Sequence, residues 1–265
     1  MEIKLTHVKT TNLTDISITI PSSVITGITG ENSKEILEVI SFSNSFKGSI
    51  YFDKERITKK KQNEYKKKTY YVPLEFELDY PLYTVEEYLR YFILTNFLKT
   101  KDIDEKIDGA LKIVGFDKKI LKRTITTLSS SEKKWFQLSL AFLINPSILL
   151  LDNPFTYFDE KEKIKLIRIL ERLKDKFHKT IIITSDDQNL LYEITRYLIV
   201  LKDGYLYQEG LTESVYYYLF DEKELGISLP KIVSFIKLVE SSKKVKLDHR
   251  KDIKDLMKDI YREVR

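Results

Sequence analysis

Residues 29 to 37, "TGENSKEIL", join an apolar, strand-like stretch, "SVITGI", to a helix-like one, "KEILEVI". A strand that enters a helix through Gly, Ser and Lys is the layout of a phosphate-binding loop, because unpaired N–H groups and the positive end of the helix dipole face the anion. Glycines are sparse in this stretch, and Glu31 and Glu35 place carboxylates where a phosphate would add more negative charge. Asn32 followed three residues later by Glu35 predicts a capping box, in which side chains satisfy the first N–H groups of the helix themselves. The same spacing recurs at Ser129 and Glu132, where "SSSE" also reads simply as a good helix start. Two apolar strands lead into acidic residues: "ILLLD", ending in Asp152, and "TIIITSDD", followed by Asp186 and Asp187.

Composition narrows the remaining chemistry. The chain has no Cys, so it has no disulfide framework or thiolate metal site, and its three His (His7, His178, His249) are too scattered to make a zinc site. Its 45 basic and 40 acidic residues leave a net charge of +5, a weak bias. The Lys runs at 59–61 and 66–68 read as a solvated hairpin or loop, and no aromatic-interleaved basic stripe points to nucleic acid. "MEIKLTHVKT" lacks the apolar core of a targeting signal, while "YFILTNFL" and "LSLAFLINPSILLLD" are too short or too interrupted to span a bilayer. The expectation is a cytoplasmic protein that meets a membrane only through a partner.

The pattern along the chain gives the elements that must position these residues. "EIKLTHV", "DISITI", "SVITGI" and "GSIYFD" read as strands, with a helix beginning near Ser33. From Val85 to about Leu121 the apolar spacing turns helical, through "TVEEYLRYFILTNFL" and "DIDEKIDGALKIVGF", the second ending at Gly115. A helix, "SEKKWFQLSLAFLI", precedes the apolar strand "ILLLD"; "DEKEKIKLIRILERLKDKF" leads to "TIIIT", and "YLIVLKDG" follows. Continuous apolar strands alternating with helices predict a mainly parallel sheet covered on both faces. From residue 219 the chain becomes Lys/Asp-rich and helical, which predicts a domain over 1–218, with a helical subdomain over about 84–143, and a C-terminal helical extension over 219–265.

The order of these features resembles the ATP-binding-cassette (ABC) ATPases over roughly residues 1 to 215: a strand-loop-helix at Gly27, a helical insertion, "LSSSEKKWFQLSLAFLINPSILLLDNPFTYFD" over 128–159, then "TIIITSDD" and "YLIVLKDGYLYQEG". The shorter stretch "LPKIVSFIKLVES" is similar to the C-terminal part of the energy-coupling-factor (ECF) type, whose ATPase subunits power importers of vitamins and metal ions. The resemblance implies an α/β fold of the P-loop NTPase class: a mainly parallel core sheet flanked by helices, an antiparallel β subdomain and a helical insertion. It implies ATP and Mg²⁺ as ligands. With Gly27 and Gly30 aligned to the first two loop glycines, Asn32 replaces the third, Ser33 the phosphate-binding Lys and Lys34 the metal-binding hydroxyl; aligning Lys34 instead loses every Gly. Leu128 and Ser129 match the start of the signature, Ser130 and Ser131 replace its two glycines, and Asp152 matches the strand-end Asp that could hold Mg²⁺ or cap a loop structurally. Asn153 stands where the family has its catalytic Glu, and Ser185 where it has its His. The family's metal- and water-contacting Gln falls near Pro73 or Leu74 with no Gln nearby, and its adenine-stacking aromatic falls near Thr10 to Asn12, where there is none. Asp159 matches the later loop Asp, expected at the interface between subunits.

These departures set the expected function. A carboxylate about 5 Å from a phosphate charge costs roughly 3 kcal/mol at an effective dielectric of about 20. Losing a Lys contact forfeits on the order of 1.5–3 kcal/mol more, so any binding of ATP and Mg²⁺ should be weakened by several orders of magnitude. The leading expectation is a degenerate ABC subunit of a membrane transporter, of ECF type, with little or no ATPase activity of its own. It would pair with a second ABC ATPase subunit, as a hetero- or homodimer, and with an integral membrane subunit contacting residues 73–90. One alternative is an unconventional ATPase using Lys34 and Asp152, with Asp186 or Asp187 orienting water. Another is a scaffold outside transport, with Trp135, "TYFD" and "SVYYYLF" as partner surfaces or, read structurally, as core.

Overall fold

The computed structural model describes residues 1–75, 80, 82–96, 102–220, 226–248, 250–251 and 253–263. In chain order they form β1 (Ile3–Lys9), β2 (Ile16–Ile20), β3 (Ile25–Gly30), α1 (Ser33–Ile40), β4 (Lys47–Phe52), β5 (Glu55–Arg56), α2 (Gln62–Lys66), β6 (Thr69–Val72), α3 (Val85–Thr95), α4 (Ile103–Val114), α5 (Ser130–Ile144), β7 (Ile148–Asp152), α6 (Glu160–Phe177), β8 (Thr180–Thr184), α7 (Gln188–Ile194), β9 (Tyr197–Lys202), β10 (Tyr205–Leu211), α8 (Thr212–Leu219), α9 (Lys231–Lys243) and α10 (Ile253–Glu263). Parts of "TVEEYLRYFILTNFL" and of the stretch 73–90 fall outside the described residues, as does His249.

Strands that alternate apolar and polar residues form the smaller sheet, antiparallel and ordered β2-β1-β4-β5. Ile3, Leu5 and Val8 of β1 point to the core, while Lys4 and His7 between them are exposed. The continuously apolar strands form the larger sheet, ordered β10-β9-β3-β8-β7-β6. Its pairings are parallel except for β10, which folds back on β9 at the edge. Within β8, Ile182 packs toward the small sheet and α1, while Ile181 and Ile183 pack toward α5 and α6. The strand-like alternation therefore survives inside an all-apolar run, and it joins two cores through one sheet.

The same division explains α5. Trp135, Leu138 and Ala141 face the large sheet, while Phe136, Leu140 and Leu143 complete the core of the helical insertion with Val85, Leu89 and Leu111. A helix gripped on two sides is apolar nearly all round. Trp135, a candidate partner surface, is buried and stacks on Phe158 with ring centroids 4.6 Å apart. In "SVYYYLF", Val215, Tyr216 and Leu219 are likewise core, while Tyr218 and, in "TYFD", Tyr157 are about half exposed. The Lys-rich segment is a folded platform: between the two runs lies α2, whose Tyr65 stacks on Phe52 at 4.9 Å.

The C-terminal helices are packed onto the sheet. Leu219 and Val233 share one cluster with Leu191, Leu198 and Val200, and a second cluster of Ile236, Leu247 and Leu256 joins α9 to α10. Among the described residues, no helix is long and apolar enough to cross a membrane.

Candidate functional site

The strand-to-helix connection at Gly30 is shorter than the sequence suggests. β3 stays paired with β9 as far as Gly30, opposite Leu201, and α1 begins at Ser33. Only Glu31 and Asn32 lie between. Gly27, aligned above with the first glycine of a phosphate loop, sits mid-strand opposite Ile183 and Leu198. A Cβ there would lie 3.0 Å from the side chains of Leu191 and Thr195, so this glycine serves helix-on-sheet packing. Gly30 has φ +95°, and a Cβ on it would come within 2.0 Å of the Leu201 carbonyl oxygen.

The capping box expected at Asn32 and Glu35 does not form. Asn32 adopts a left-handed conformation, φ 59°, and its side chain makes no capping bond. A capping residue needs extended backbone angles to aim its oxygen back at the helix, and the tight exit from Gly30 denies Asn32 that geometry. The Glu35 carboxylate instead accepts hydrogen bonds from Thr10 Oγ1 and Asn12 Nδ2. Glu35 thereby clasps the turn at residues 10–14 onto α1. Lys34 extends into solvent and pairs with Glu38 at 3.3 Å.

Asp152, at the end of β7, is buried, and its carboxylate is already engaged. Oδ1 accepts from Thr184 Oγ1 at 2.7 Å and lies 3.5 Å from Asn153 Nδ2; Oδ2 accepts from Tyr71 OH at 3.4 Å and from the Leu74 N–H at 3.3 Å. Burial, then the neighbouring Asp152 charge, pushes the Tyr71 phenol far above its ordinary range. The cleft in front of Asp152 measures about 510 Å³ and is lined by Lys34, Tyr70, Tyr71, Glu75 and Gln137 among others. Although no Gln lies near Pro73 in sequence, Gln137 reaches it from α5, its Nε2 donating to the Pro73 carbonyl at 2.9 Å. Its Oε1 is buried without a partner. Lys134, one helical turn earlier, donates to the Pro73 and Leu74 carbonyls at 3.0 and 3.1 Å. Burial lowers its pKa to about 8 against the opposing pull of Asp152 and Glu75.

The other candidates act as helix caps. Ser129 and Glu132 form the expected box: Ser129 Oγ accepts from the Glu132 N–H at 3.2 Å, and Glu132 accepts from the Ser129 N–H at 2.8 Å. The Glu132 carboxyl is held below its ordinary value by Arg123 first and by that backbone bond second. Ser130 starts α5, and the Ser131 hydroxyl donates to Glu162, which also accepts from Trp135 Nε1 at 3.0 Å. Asp159 caps α6, accepting from the Glu162 N–H at 2.8 Å. Ser185 is buried and accepts from the Asp187 N–H at 3.1 Å, while Asp187 caps α7. The four residues Ser131, Trp135, Asp159 and Glu162 thus tie α5 to α6. Glu162 was not marked by any motif in the sequence beyond its place three residues after Asp159. Among the described residues, no cluster of His, Asp or Glu has the arrangement of a metal site.

Comparison with known proteins places this arrangement. The family model for ABC transporters matches residues 13–156, a span that holds Gly30, Ser129 and Asp152 and covers more than half of the chain. The chain belongs to the ABC transporter family. Among curated relatives of this ABC domain, the sulfate/thiosulfate import ATP-binding protein CysA of Bacillus cereus is 29% identical over 218 residues, covering 77% of the chain and 58% of that relative. The energy-coupling factor transporter ATP-binding protein EcfA2 of Acetivibrio thermocellus is 23% identical over 232 residues, covering 85% of the chain and 82% of that relative. A dimeric ATP-binding cassette, MJ0796, solved in a post-hydrolysis state with ADP and Pi, superposes with a TM-score of 0.71 at 20% identity, covering 79% of the chain and 98% of the cassette. The sheet order, the helical insertion and the antiparallel subdomain are thus those of an ABC ATPase domain. Membership of the family implies ATP and Mg²⁺ as the ligands against which the residues must be tested.

Proposed function

We propose that this ABC domain is a degenerate subunit of a membrane transporter, one that couples a partner's ATP hydrolysis to transport with little or no ATPase activity of its own. The observation that carries the reading is Asp152. Its two oxygens accept from Thr184, Asn153, Tyr71 and the Leu74 N–H, which takes up roughly the four lone-pair sites a carboxylate offers, so a metal ion would compete with these groups. The two-residue link at Glu31 and Asn32 supports it: β3 remains sheet-bonded where a loop would have to surround phosphates, and Glu31 and Glu35 add negative charge beside it. Asn153 and Ser185 lack the basicity to take a proton from an attacking water. The residues present do not fit MgATP, and no hydrolytic step is assigned to them.

The similarity to EcfA2 and the form of the C-terminal stretch favour an ECF-type importer of vitamins or metal ions. In that setting the chain pairs with a competent ABC ATPase, Ser129, Ser130 and Ser131 face the partner's nucleotide, and Asp159 lies at the shared interface. An integral membrane subunit contacts the region of residues 73–90, which holds the chain on the inner face of the membrane. Residues 1–218 act as the ATPase-like domain and 219–265 as its extension.

Reconstitution tests this directly. A complex in which the partner's acidic catalytic residue is replaced should lose ATPase activity to background, and substantial residual turnover would overturn the assignment. A second reading, an unconventional ATPase, is favoured by one observation: Lys34 and Asp152 line the same cleft with Gln137. Micromolar MgATP binding by the lone chain, abolished in Asp152→Ala, would move that reading to first place.

A further inference from the structure

A groove of about 390 Å³ opens between α4, the last turn of α5 and the last turn of α6, reaching down to Leu149 of β7. It shares no residue with the cleft at Asp152. Its walls are apolar, built from Ala110, Ile113, Phe142, Leu149, Leu173 and Phe177. Ile113 and Phe177 are 44% and 57% exposed, so the walls leave large apolar surface in water.

Two further features point to an occupant. Gly109 lies in the middle of α4, where glycine weakens a helix relative to alanine. No positive φ requires it, and a Cβ there would meet nothing within 4 Å, so no packing contact requires it either, and its place in the lining leaves that part of the groove wall without a side chain. The groove is also lined by Lys106 and Lys179, neither of which forms an ion pair with a described carboxylate. Lys179 donates to the Asn145 carbonyl at 3.1 Å, and burial lowers its pKa; a bound anion would compensate that burial.

We propose that this groove binds an amphipathic organic anion, an unbranched acyl chain whose carboxylate is held by Lys106 and Lys179 while the chain lies along the apolar walls. The volume falls in the range of small-molecule sites, which are mostly apolar with a few polar groups that fix orientation.

The test is calorimetric titration of dodecanoate, below its micellar concentration, into the full chain without nucleotide. The expected result is saturable one-to-one binding, weakened at least tenfold by Gly109→Leu with no loss of thermal stability. Lys106→Gln combined with Lys179→Gln should weaken dodecanoate at least tenfold while leaving dodecanol binding unchanged. The proposal is overturned by absence of saturable binding, by equal binding of dodecyltrimethylammonium, or by indifference to both sets of substitutions. Because no readout involves ATP, this outcome is independent of the reading of the Asp152 cleft.

Discussion

Lys134 shows how a single buried cation becomes visible in a stability measurement. Its ammonium rests on two carbonyls, with a pKa lowered to about 8 from an ordinary 10.5. Below pH 8 the lysine is charged in both folded and unfolded chains, and the full cost of its burial is felt. Between pH 8 and about 10 the unfolded chain holds the proton and the folded one releases it, so stability rises with pH across that window, by up to about 3 kcal/mol. Urea midpoints at pH 7.5 and 9.5 should show the rise in the native chain and a distinctly smaller one in Lys134→Met, since burial also lowers the pKa of Lys165, Lys179 and Lys251. Ser129 offers a second test. Removing its hydroxyl in Ser129→Ala breaks one half of a formed capping box, which should cost about 1 kcal/mol. Calorimetry should register this as a fall in Tm of about 2–4 °C.

At the scale of elements, the connection between β3 and α1 depends on one backbone approach. Gly30→Ala would force a methyl group into the Leu201 carbonyl oxygen and a side chain onto a positive φ. The expected loss is more than about 2 kcal/mol, readable as a lower urea midpoint with an unchanged slope. That contact also explains where local rules worked and where they failed. Thr84 with Glu87, Ser129 with Glu132 and Asp159 with Glu162 all carry the capping spacing, and all three boxes form on extended capping residues. Asn32 with Glu35 carries a related spacing and fails, because a long-range contact at Gly30 sets the chain direction before the helix begins. The apolar strands and the amphipathic α4 and α6 were legible because their periods are local. Gln137 and Lys134 were not, since their acceptors at Pro73 lie 64 and 61 positions away and no spacing rule reaches that far. Trp135 was ambiguous for a simpler reason: α5 packs on two sides, so its pattern does not distinguish a core face from a partner face.

For the whole molecule, the C-terminal helices cover the outer side of β9 and α8. Ending the chain at residue 225 would uncover Tyr216, Leu219 and Leu191, which share a cluster with Val233. Such a truncated chain should self-associate at micromolar concentration, a change static light scattering detects, whereas a freely hinged extension would leave it monodisperse. The turn at residues 10–14 ties the opposite side together. Glu35 holds it from α1, the Thr14 N–H donates to the Gly204 carbonyl at 2.7 Å, and the Leu13 N–H donates to Thr10 Oγ1 at 3.0 Å. A turn anchored to two sheets and a helix has no private way to open. In deuterated solvent its Leu13 and Thr14 amides should therefore exchange as slowly as those of β3, on the clock of global unfolding, while Glu35→Ala should return them to the minutes-scale exchange of an ordinary surface turn.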